Sequence, residues 1–227
     1  MLGTIVNTST IVLGGLLGSV LKRGLGEKYQ QSLTAAMGFA ATFLGVQTVV
    51  KNLGESAYPV LFIASLALGG VLGEALDLDG AFTRLVQRFS KSELSRGLST
   101  GILLCCMGSL SILGPIQSAL LGDHTFLFTN ATLDFVTFMV LGAAYGPAIC
   151  LAGAVLFCWQ GAIYLLAGAI APYVTSDLLT ELSLVGGALI FSSGLGILGI
   201  KQIKTLNYLP ALAVSAAAVV VLQALGL

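Results

Sequence analysis

One acidic residue lies deep within an apolar segment of this chain, and its carboxyl group is the strongest candidate for chemistry. If that segment begins near Phe126, Asp134 lies two helical turns inside it, about 12 Å deep at 1.5 Å per residue. A charge at the centre of a bilayer costs at least about 2.5–3.5 kcal/mol, so this carboxyl group is expected to face the protein interior. There it could carry a proton or bind a small cation. A segment that begins only at Asn130 would instead leave Asp134 near the lipid headgroups.

Hydroxyl and amide side chains cluster in two other apolar segments, each of which also contains residues that disfavour a helix. The first segment carries a polar run before Gly14-Gly15, and the second, "GSLSILGPIQSALLGD" at residues 108–123, has Gly114-Pro115 at its middle. Proline lacks an N–H group and clashes with the carbonyl of the preceding turn, so we predict that the helices break at these pairs. Backbone groups freed in this way are tolerated in a membrane only when they are buried in protein or line a cavity.

Broken helices at corresponding positions of two halves indicate a binding site near the middle of the membrane. The residues expected to line this site are Asn7, Thr8, Thr10, Ser109, Ser111, Gln117 and Asp134. Their oxygen atoms suit a proton or a hard cation better than a soft metal. The alternative is that the glycines and serines only allow close helix packing. The polar run of the first segment exceeds what close packing requires.

The composition indicates an all-α protein, a polytopic bundle of transmembrane helices. Of 227 residues, 56% are hydrophobic and 9% are charged, whereas soluble domains carry about 25% charged residues. Eight apolar segments approach the length of about 20 residues that crosses a bilayer. They are roughly residues 2–21, 31–50, 58–76, 98–121, 126–145, 147–171, 182–200 and 207–226. The fifth and sixth could also form one long segment, which would make the number seven.

The basic residues set the expected orientation. With eight segments, nine of the ten Lys and Arg residues lie on one side of the membrane, and Lys51 alone lies on the other. Cytoplasmic loops carry the excess of Lys and Arg, so both termini are expected outside the cell. Between the third and fourth segments, apolar residues recur at helical spacing within residues 79–96. This spacing predicts a short helix in the cytoplasmic interface.

A weak internal repeat divides the chain. Residues 8–21 align without a gap with residues 108–121, and the orientation rule directs these two segments oppositely. The alignment predicts one membrane domain with two inverted three-helix repeats, an architecture that recurs in transporters. Its parts are 1–76, a linker at 77–97, 98–171 and a C-terminal helix pair at 182–226. An alternative pairing, also inverted, sets the second and third segments against the seventh and eighth, with Pro59 matching Pro210.

Several motifs, taken in order, resemble a known family. They are "GTIVNTSTIVLGGLLGS" (3–19), "GSLSILGPIQSALLGD" (108–123), "LDF" (133–135), "GGALIFSSGLGILGIKQIK" (186–204) and "NYLPAL" (207–212). Together they resemble the YdfK/YqgA-like family of bacterial integral membrane proteins over nearly the whole chain. The resemblance implies a multi-pass protein of the bacterial plasma membrane. It implies no activity, because the family is one of unknown function.

The leading hypothesis for function is a secondary transporter of a small solute or ion, coupled to H⁺ or Na⁺. No nucleotide-binding loop is present, and no cofactor or metal is expected. The alternative is a non-transporting scaffold or accessory subunit. An enzyme is not expected, because His124 is predicted outside the membrane and Asp134 is the only deep acid. The four cysteines are expected to be small buried residues. The expected partners are the lipid bilayer and a small solute or cation but no nucleic acid, with a homo-oligomer left open.

The predicted orientation can be tested by cysteine labelling. With the loops at 22–30, 77–97 and 201–206 in the cytoplasm, Lys91→Cys in a cysteine-free background should react with an impermeant thiol reagent only after the cells are opened. Labelling of position 91 from outside intact cells would contradict this orientation.

Overall fold

A computed structural model describes residues 1–21, 26–88, 98, 101–106 and 108–225. Within these ranges the regular structure is helical, without a strand. The α-helices are α1 (Leu2–Leu21), α2 (Glu27–Leu53), α3 (Pro59–Leu76), α4 (Leu78–Gln87), α5 (Ser109–Leu120), α6 (Thr125–Tyr145), α7 (Leu151–Ile170), α8 (Ser176–Ile197) and α9 (Pro210–Ala224). Residues 101–106 are helical as well. The predicted all-α fold is therefore confirmed.

Six helical segments of the described chain are long and apolar enough to cross a membrane. They are Leu2–Leu21, Pro59–Gln87, Thr125–Tyr145, Pro147–Ile170, Ser176–Ile197 and Thr205–Ala224. Helix α2 and the stretch at 98–121 are not among them. The chain is thus a helical membrane protein, and eight crossings remain a prediction.

The fifth and sixth predicted segments are two separate helices. Helix α6 ends at Tyr145, and Gly146 follows with a φ of 81°, a conformation that glycine adopts without steric cost. A short 3₁₀ turn, Pro147–Cys150, then leads into α7. The alternative of one long segment is wrong, because the backbone turns at Gly146.

The predicted helix breaks are at the wrong positions. Gly14 and Gly15 lie inside the uninterrupted helix α1, and Gly114 and Pro115 lie inside α5. The break in the fourth segment is at Gly108, whose extended backbone (φ −66°, ψ 140°) precedes α5. In a membrane helix an internal proline is tolerated when neighbouring groups satisfy the backbone that it leaves free, so its presence does not fix where a helix opens.

The interfacial helix predicted within 79–96 is present in part as α4. The rest of that prediction, at 89–97, lies outside the described residues. Phe82 packs against the apolar core near α7, and its ring centroid lies 5.5 Å from that of Trp159. Val86 is buried on the same helix. This face of α4 therefore packs on protein rather than on lipid headgroups.

The described chain divides into two compact units, and the predicted repeat boundaries stay a prediction. Unit 1 contains Met1–Met37 and Phe82–Ala171, and unit 2 contains Gly38–Ala81 and Pro172–Leu227. The core of unit 1 is an apolar cluster formed by Ile11, Cys105, Cys106, Phe138, Ile149, Ala152 and Leu156. Unit 2 contains α3, α8, α9 and the part of α2 from Gly38 onward, which belong to the segments of the alternative pairing.

Only part of the expectation for the cysteines is correct. Cys105 and Cys106 are buried, Cys150 is half-buried and Cys158 is exposed, all as free thiols. Cys158 was expected to be buried because its segment is apolar. An apolar segment has one face outside the bundle, and Cys158 lies on that face of α7.

Glycine contacts show in which directions the helices of unit 1 run relative to one another. A Cβ atom at Gly3 would meet Leu127, one at Gly14 would meet Phe135, and one at Gly18 would meet Met139. Residue numbers therefore rise together along α1 and α6, so these helices run parallel. Helix α7 runs antiparallel to α1, since Gly15 lies against Cys150 and Gly161 lies nearest Met1.

In unit 2, two pairs of antiparallel helices pack through glycines, α3 with α9 and α2 with α8. In α3, Gly69 lies against Ala211 and Gly73 lies against Asn207. In the second pair, Gly45 of α2 lies against Phe191 of α8, and Gly194 of α8 lies against Thr42 of α2. Small residues at such contacts let two helix backbones approach closely, which is how many membrane helices associate.

We predict that Gly18→Ala lowers the melting temperature of the purified protein. A Cβ atom at this position would collide with the backbone carbonyl of Met139, which cannot rotate away. Overpacking of this kind costs about 1–3 kcal/mol. The matched control is Gly168→Ala, because no atom lies within 4 Å of a Cβ added there. Equal melting temperatures for the two variants would show that α1 and α6 can separate without cost.

Candidate functional site

The predicted site residues all belong to unit 1, on α1, α5 and α6. Four of them are buried: Asn7, Ser109, Ser111 and Asp134. Three are half-buried: Thr8, Thr10 and Gln117. The hydroxyl group of Thr10 donates to the backbone carbonyl of Asn7 at 2.7 Å, so it is bound to its own helix.

Asp134 lies on the buried face of α6, with 5% of its surface exposed. Its Oδ2 atom accepts a hydrogen bond from Nδ2 of Asn130, one turn earlier, at 2.9 Å. The side chain of Asn7 on α1 lies near this carboxyl group but makes no hydrogen bond to it. Among the described residues, no Lys or Arg forms an ion pair with it. The carboxyl group therefore accepts a hydrogen bond from one neutral amide, that of Asn130.

The start of α5 lies beside Asp134. A Cβ atom at Gly114 of α5 would meet Leu127 of α6. Because α5 and α6 are joined by the short turn at 121–124, they run antiparallel, and the first turn of α5 lies further along α6 in the direction of Asp134. Cys105, just before the break, belongs to the same buried apolar cluster as Phe138, which lies one turn after Asp134 on α6. The interruption at Gly108 and the buried acid are thus neighbours.

Several buried polar atoms of α1 and α7 have no hydrogen-bond partner among the described residues. They are Oγ1 of Thr4, both amide atoms of Asn7, Oγ1 of Thr8, Nε1 of Trp159 and Oε1 of Gln160. Asn7 and Thr8 follow Thr4 by three and four residues, which puts the three side chains on one face of α1. On α7, Nε2 of Gln160 donates to Oγ of Ser111 at 3.2 Å. Buried polar groups without partners are rare in proteins and call for an explanation such as a bound ion or solute.

The site residues expected from the sequence did not include Thr4 or Gln160. Thr4 lies one turn before Asn7, so the helical spacing of the polar run was the signal that could have identified it. Gln160 stands alone in an apolar segment, and nothing in its neighbours predicts that it faces α5. Gln117 is half-buried on α5, and no contact joins it to Asp134.

The arrangement favours a small cation or a proton over an anion. It offers one carboxyl group together with amide and hydroxyl oxygens, which are ligands of hard cations. Among the described residues, no group of three or more His, Cys, Asp or Glu side chains could hold a metal ion. A transition-metal centre therefore has no ligand set in this part of the chain.

We expect Asn130 and Asp134 to be energetically coupled. Asn130→Ala removes the donor to a buried carboxyl group, and hydrogen bonds to charged groups contribute about 1.5–3 kcal/mol. In an Asp134→Leu background the same change should cost less. Urea unfolding of the four proteins in micelles measures this difference. The control is Thr132→Ala, whose exposed hydroxyl binds only the carbonyl of Phe128, and its effect should be the same in both backgrounds. Equal costs of Asn130→Ala in both backgrounds would disprove the coupling.

Comparison with known proteins places this bundle in a family. The family model described as "Protein of unknown function (DUF554)" matches residues 2–220. The uncharacterized membrane protein YdfK of Bacillus subtilis is 50% identical over 227 residues, covering 100% of this chain and 99% of the relative. The uncharacterized protein YqgA of Escherichia coli is 30% identical over 226 residues, covering 93% of each chain. No solved structure matches the chain. The resemblance seen in the sequence is confirmed, and the chain belongs to the DUF554 family.

Proposed function

We propose that this protein is a secondary transporter of the bacterial plasma membrane that binds a small cation at Asp134. The cation is either the transported ion or the H⁺ or Na⁺ that drives a small solute. One observation carries the proposal: a buried carboxyl group with no basic partner among the described residues lies beside a helix broken at Gly108. Transporters commonly bind ions where a membrane helix is interrupted, because the freed backbone groups can serve as ligands.

The unpartnered atoms on α1 supply the rest of the proposed site. Asn7, Thr4 and Thr8 present oxygen atoms without hydrogen bonds on the face of α1 that meets Asp134. Four such oxygens, from one carboxylate, one amide and two hydroxyls, resemble the ligand set that a monovalent hard cation requires. Asn130, one turn earlier on α6, then holds the carboxylate through its amide N–H group.

The parallel direction of α1 and α6 supports eight crossings, an even number that puts both termini on the same side of the membrane. Helix α6 runs parallel to α1, and α2 and α3 lie between them in the chain. If α1, α2 and α3 each cross the membrane, α3 runs in the same direction as α1. Helix α6 can then run parallel to α1 only if the chain crosses the membrane once more between α3 and α6. Residues 98–121 would supply that crossing, interrupted at Gly108. Helix α2, with 27 residues, is long enough to cross.

Helix positions favour an inverted repeat with boundaries other than those predicted. The starts of α1 and α2 are separated from those of α7 and α8 by the same offset (Leu2 to Leu151 and Glu27 to Ser176). Helices α1 and α7 each have 20 residues, and α3 and α9 both begin with proline. In each pair the two helices run antiparallel. We infer that α1–α3 and α7–α9 are the two repeats, with 98–121 and α6 between them.

Asp134→Asn should abolish transport while leaving the fold intact. The amide keeps the shape of the carboxyl group and removes both its charge and its desolvation cost. The measurement is cation-driven uptake and pH change in proteoliposomes, scanning H⁺, Na⁺ and K⁺ gradients. Asp123→Asn is the matched control, because that acid lies in the exposed turn before α6 and caps Thr125.

The outcome separates transport from the alternative role of a scaffold. A wild-type protein whose melting temperature rises with one cation, and an Asp134→Asn variant that loses both this rise and the flux, would support the site. No flux from the wild-type protein under any gradient, together with identical cation dependence of melting in both proteins, would favour a scaffold or accessory subunit.

A further inference from the structure

Unit 2 has a groove along the exposed side of α3 that the proposed transport site does not use. Its volume is about 550 Å³, within the range of about 300–1,000 Å³ that ligand sites occupy. Apolar residues of α3 from Ile63 to Val71 line it, with Glu74 at one end. A Cβ atom at Gly70 would meet the ring of Tyr208, so this ring forms one wall. The groove is therefore apolar along its length and polar at one end.

The groove has the length of one acyl chain in one leaflet of the bilayer. Ile63, Ala67, Gly70 and Glu74 are spaced by four, three and four residues, so they follow one face of α3. At 1.5 Å per residue, Ile63 and Glu74 are about 16 Å apart along the axis, and half of the hydrocarbon core is about 15 Å thick. Helix α3 ends at Leu76, so Glu74 lies near the headgroups. The groove thus runs from the middle of the bilayer to the headgroups of one leaflet.

Two opposite charges lie at the polar end of the groove. Oε2 of Glu74 accepts a hydrogen bond from Nδ2 of Asn207 at 2.6 Å, and Oε1 lies 3.8 Å from Nζ of Lys204. Asn207 is fixed in turn, because its Oδ1 accepts from the backbone N–H of Asp79 at 2.8 Å. The side chains of Glu74 and Lys204 are both more than half exposed. The pair is therefore held at the groove and remains accessible to another charged group.

We propose that this groove binds one molecule of phosphatidylethanolamine, with an acyl chain along α3, the ammonium group on Glu74 and the phosphate on Lys204. The two charges of the headgroup then alternate with the two charges of the protein. The negative end of the α3 helix dipole also favours a cation beside Glu74. A primary ammonium has three N–H donors, and hydrogen bonds between ionised partners are roughly twice as strong as neutral ones. This inference does not require Asp134 to bind a cation.

The charges at the polar end distinguish ethanolamine from other headgroups. Phosphatidylcholine has the same two charges, but its quaternary ammonium has no N–H donor for Glu74. Phosphatidylglycerol has the phosphate and no cation. At this end of α3, unit 2 carries three acids, Glu74, Asp77 and Asp79, and two bases, Lys201 and Lys204. A headgroup with only a negative charge is therefore disfavoured, and phosphatidylethanolamine should bind most tightly.

Native mass spectrometry of the full-length protein in detergent tests the headgroup. In titrations with dioleoyl lipids that differ only in headgroup, phosphatidylethanolamine should bind several-fold more tightly than phosphatidylcholine or phosphatidylglycerol. Glu74→Gln removes the charge and keeps an acceptor for Asn207, so it should bind the ethanolamine and choline lipids equally. The matched control is Glu55→Gln, an exposed acid before the other end of α3, which should keep the preference. A wild-type protein without this preference, or a Glu74→Gln variant that retains it, would overturn the proposal.

Filling the groove tests the position of the acyl chain. Ala67 is exposed on the side of α3 away from the contacts with α9, so Ala67→Phe should lower the affinity for phosphatidylethanolamine several-fold without lowering the melting temperature in detergent. Leu68→Phe changes an exposed residue outside the groove and should bind as the wild type does. Ala67→Phe keeps the charged pair, so it tests the groove even if Glu74→Gln fails to fold. Equal affinities of Ala67→Phe and the wild type would overturn the proposal.

Discussion

The backbone contact between α1 and α6 is the constraint on which unit 1 depends. Gly14 and Gly18 of α1 meet backbone atoms of α6, and Gly142 of α6 meets the carbonyl of Gly15 in return. Two helices at this separation leave no room for side chains along the seam. Towards the start of α1, the contact with α6 is made by the polar residue Asn7 instead of a glycine. Because the glycine contacts fix the register of the two helices, Asn7 lies near Asp134. The site is thus a consequence of close packing over the rest of the same interface.

Unit 2 uses the same packing and buries polar groups in the same way. Gly69 and Gly73 bring α3 against α9. The hydroxyl groups of Ser65 and Ser215, each four residues from a seam contact, are buried and have no hydrogen-bond partner in the described part of the chain. In lipid, polar groups are stabilised only inside the protein, so they collect where helices meet. Glu181 of α8, which is fully buried, follows this rule and is covered by the turn between α2 and α3.

Hydropathy located the six helices of the described chain that are long and apolar enough to cross a membrane, because the length and apolarity of a span are local properties. The break in the fourth segment was misplaced, because its position follows from contacts of Cys105 and α5 with α6 rather than from Pro115. The burial of Glu181, on α8, was not predicted for a related reason. The apolar stretch that predicts α8 begins at residue 182, so the sequence places the acid in water. Only the fold of the α2–α3 turn over this acid buries it, and that contact joins residues far apart in the chain.

The proposed repeat also shows why a symmetric backbone would give an asymmetric site. With the offset that relates α1 to α7, Asn7 corresponds to Leu156, which is fully buried in the apolar core. With the same offset, Glu181 corresponds to Ser32, which is exposed on α2 and donates to its own helix. Each of these buried polar side chains therefore corresponds, in the other repeat, to a side chain that is either apolar or exposed to solvent. Two inverted repeats could exchange conformations during transport, while the cation would have one binding site, on α1 and α6.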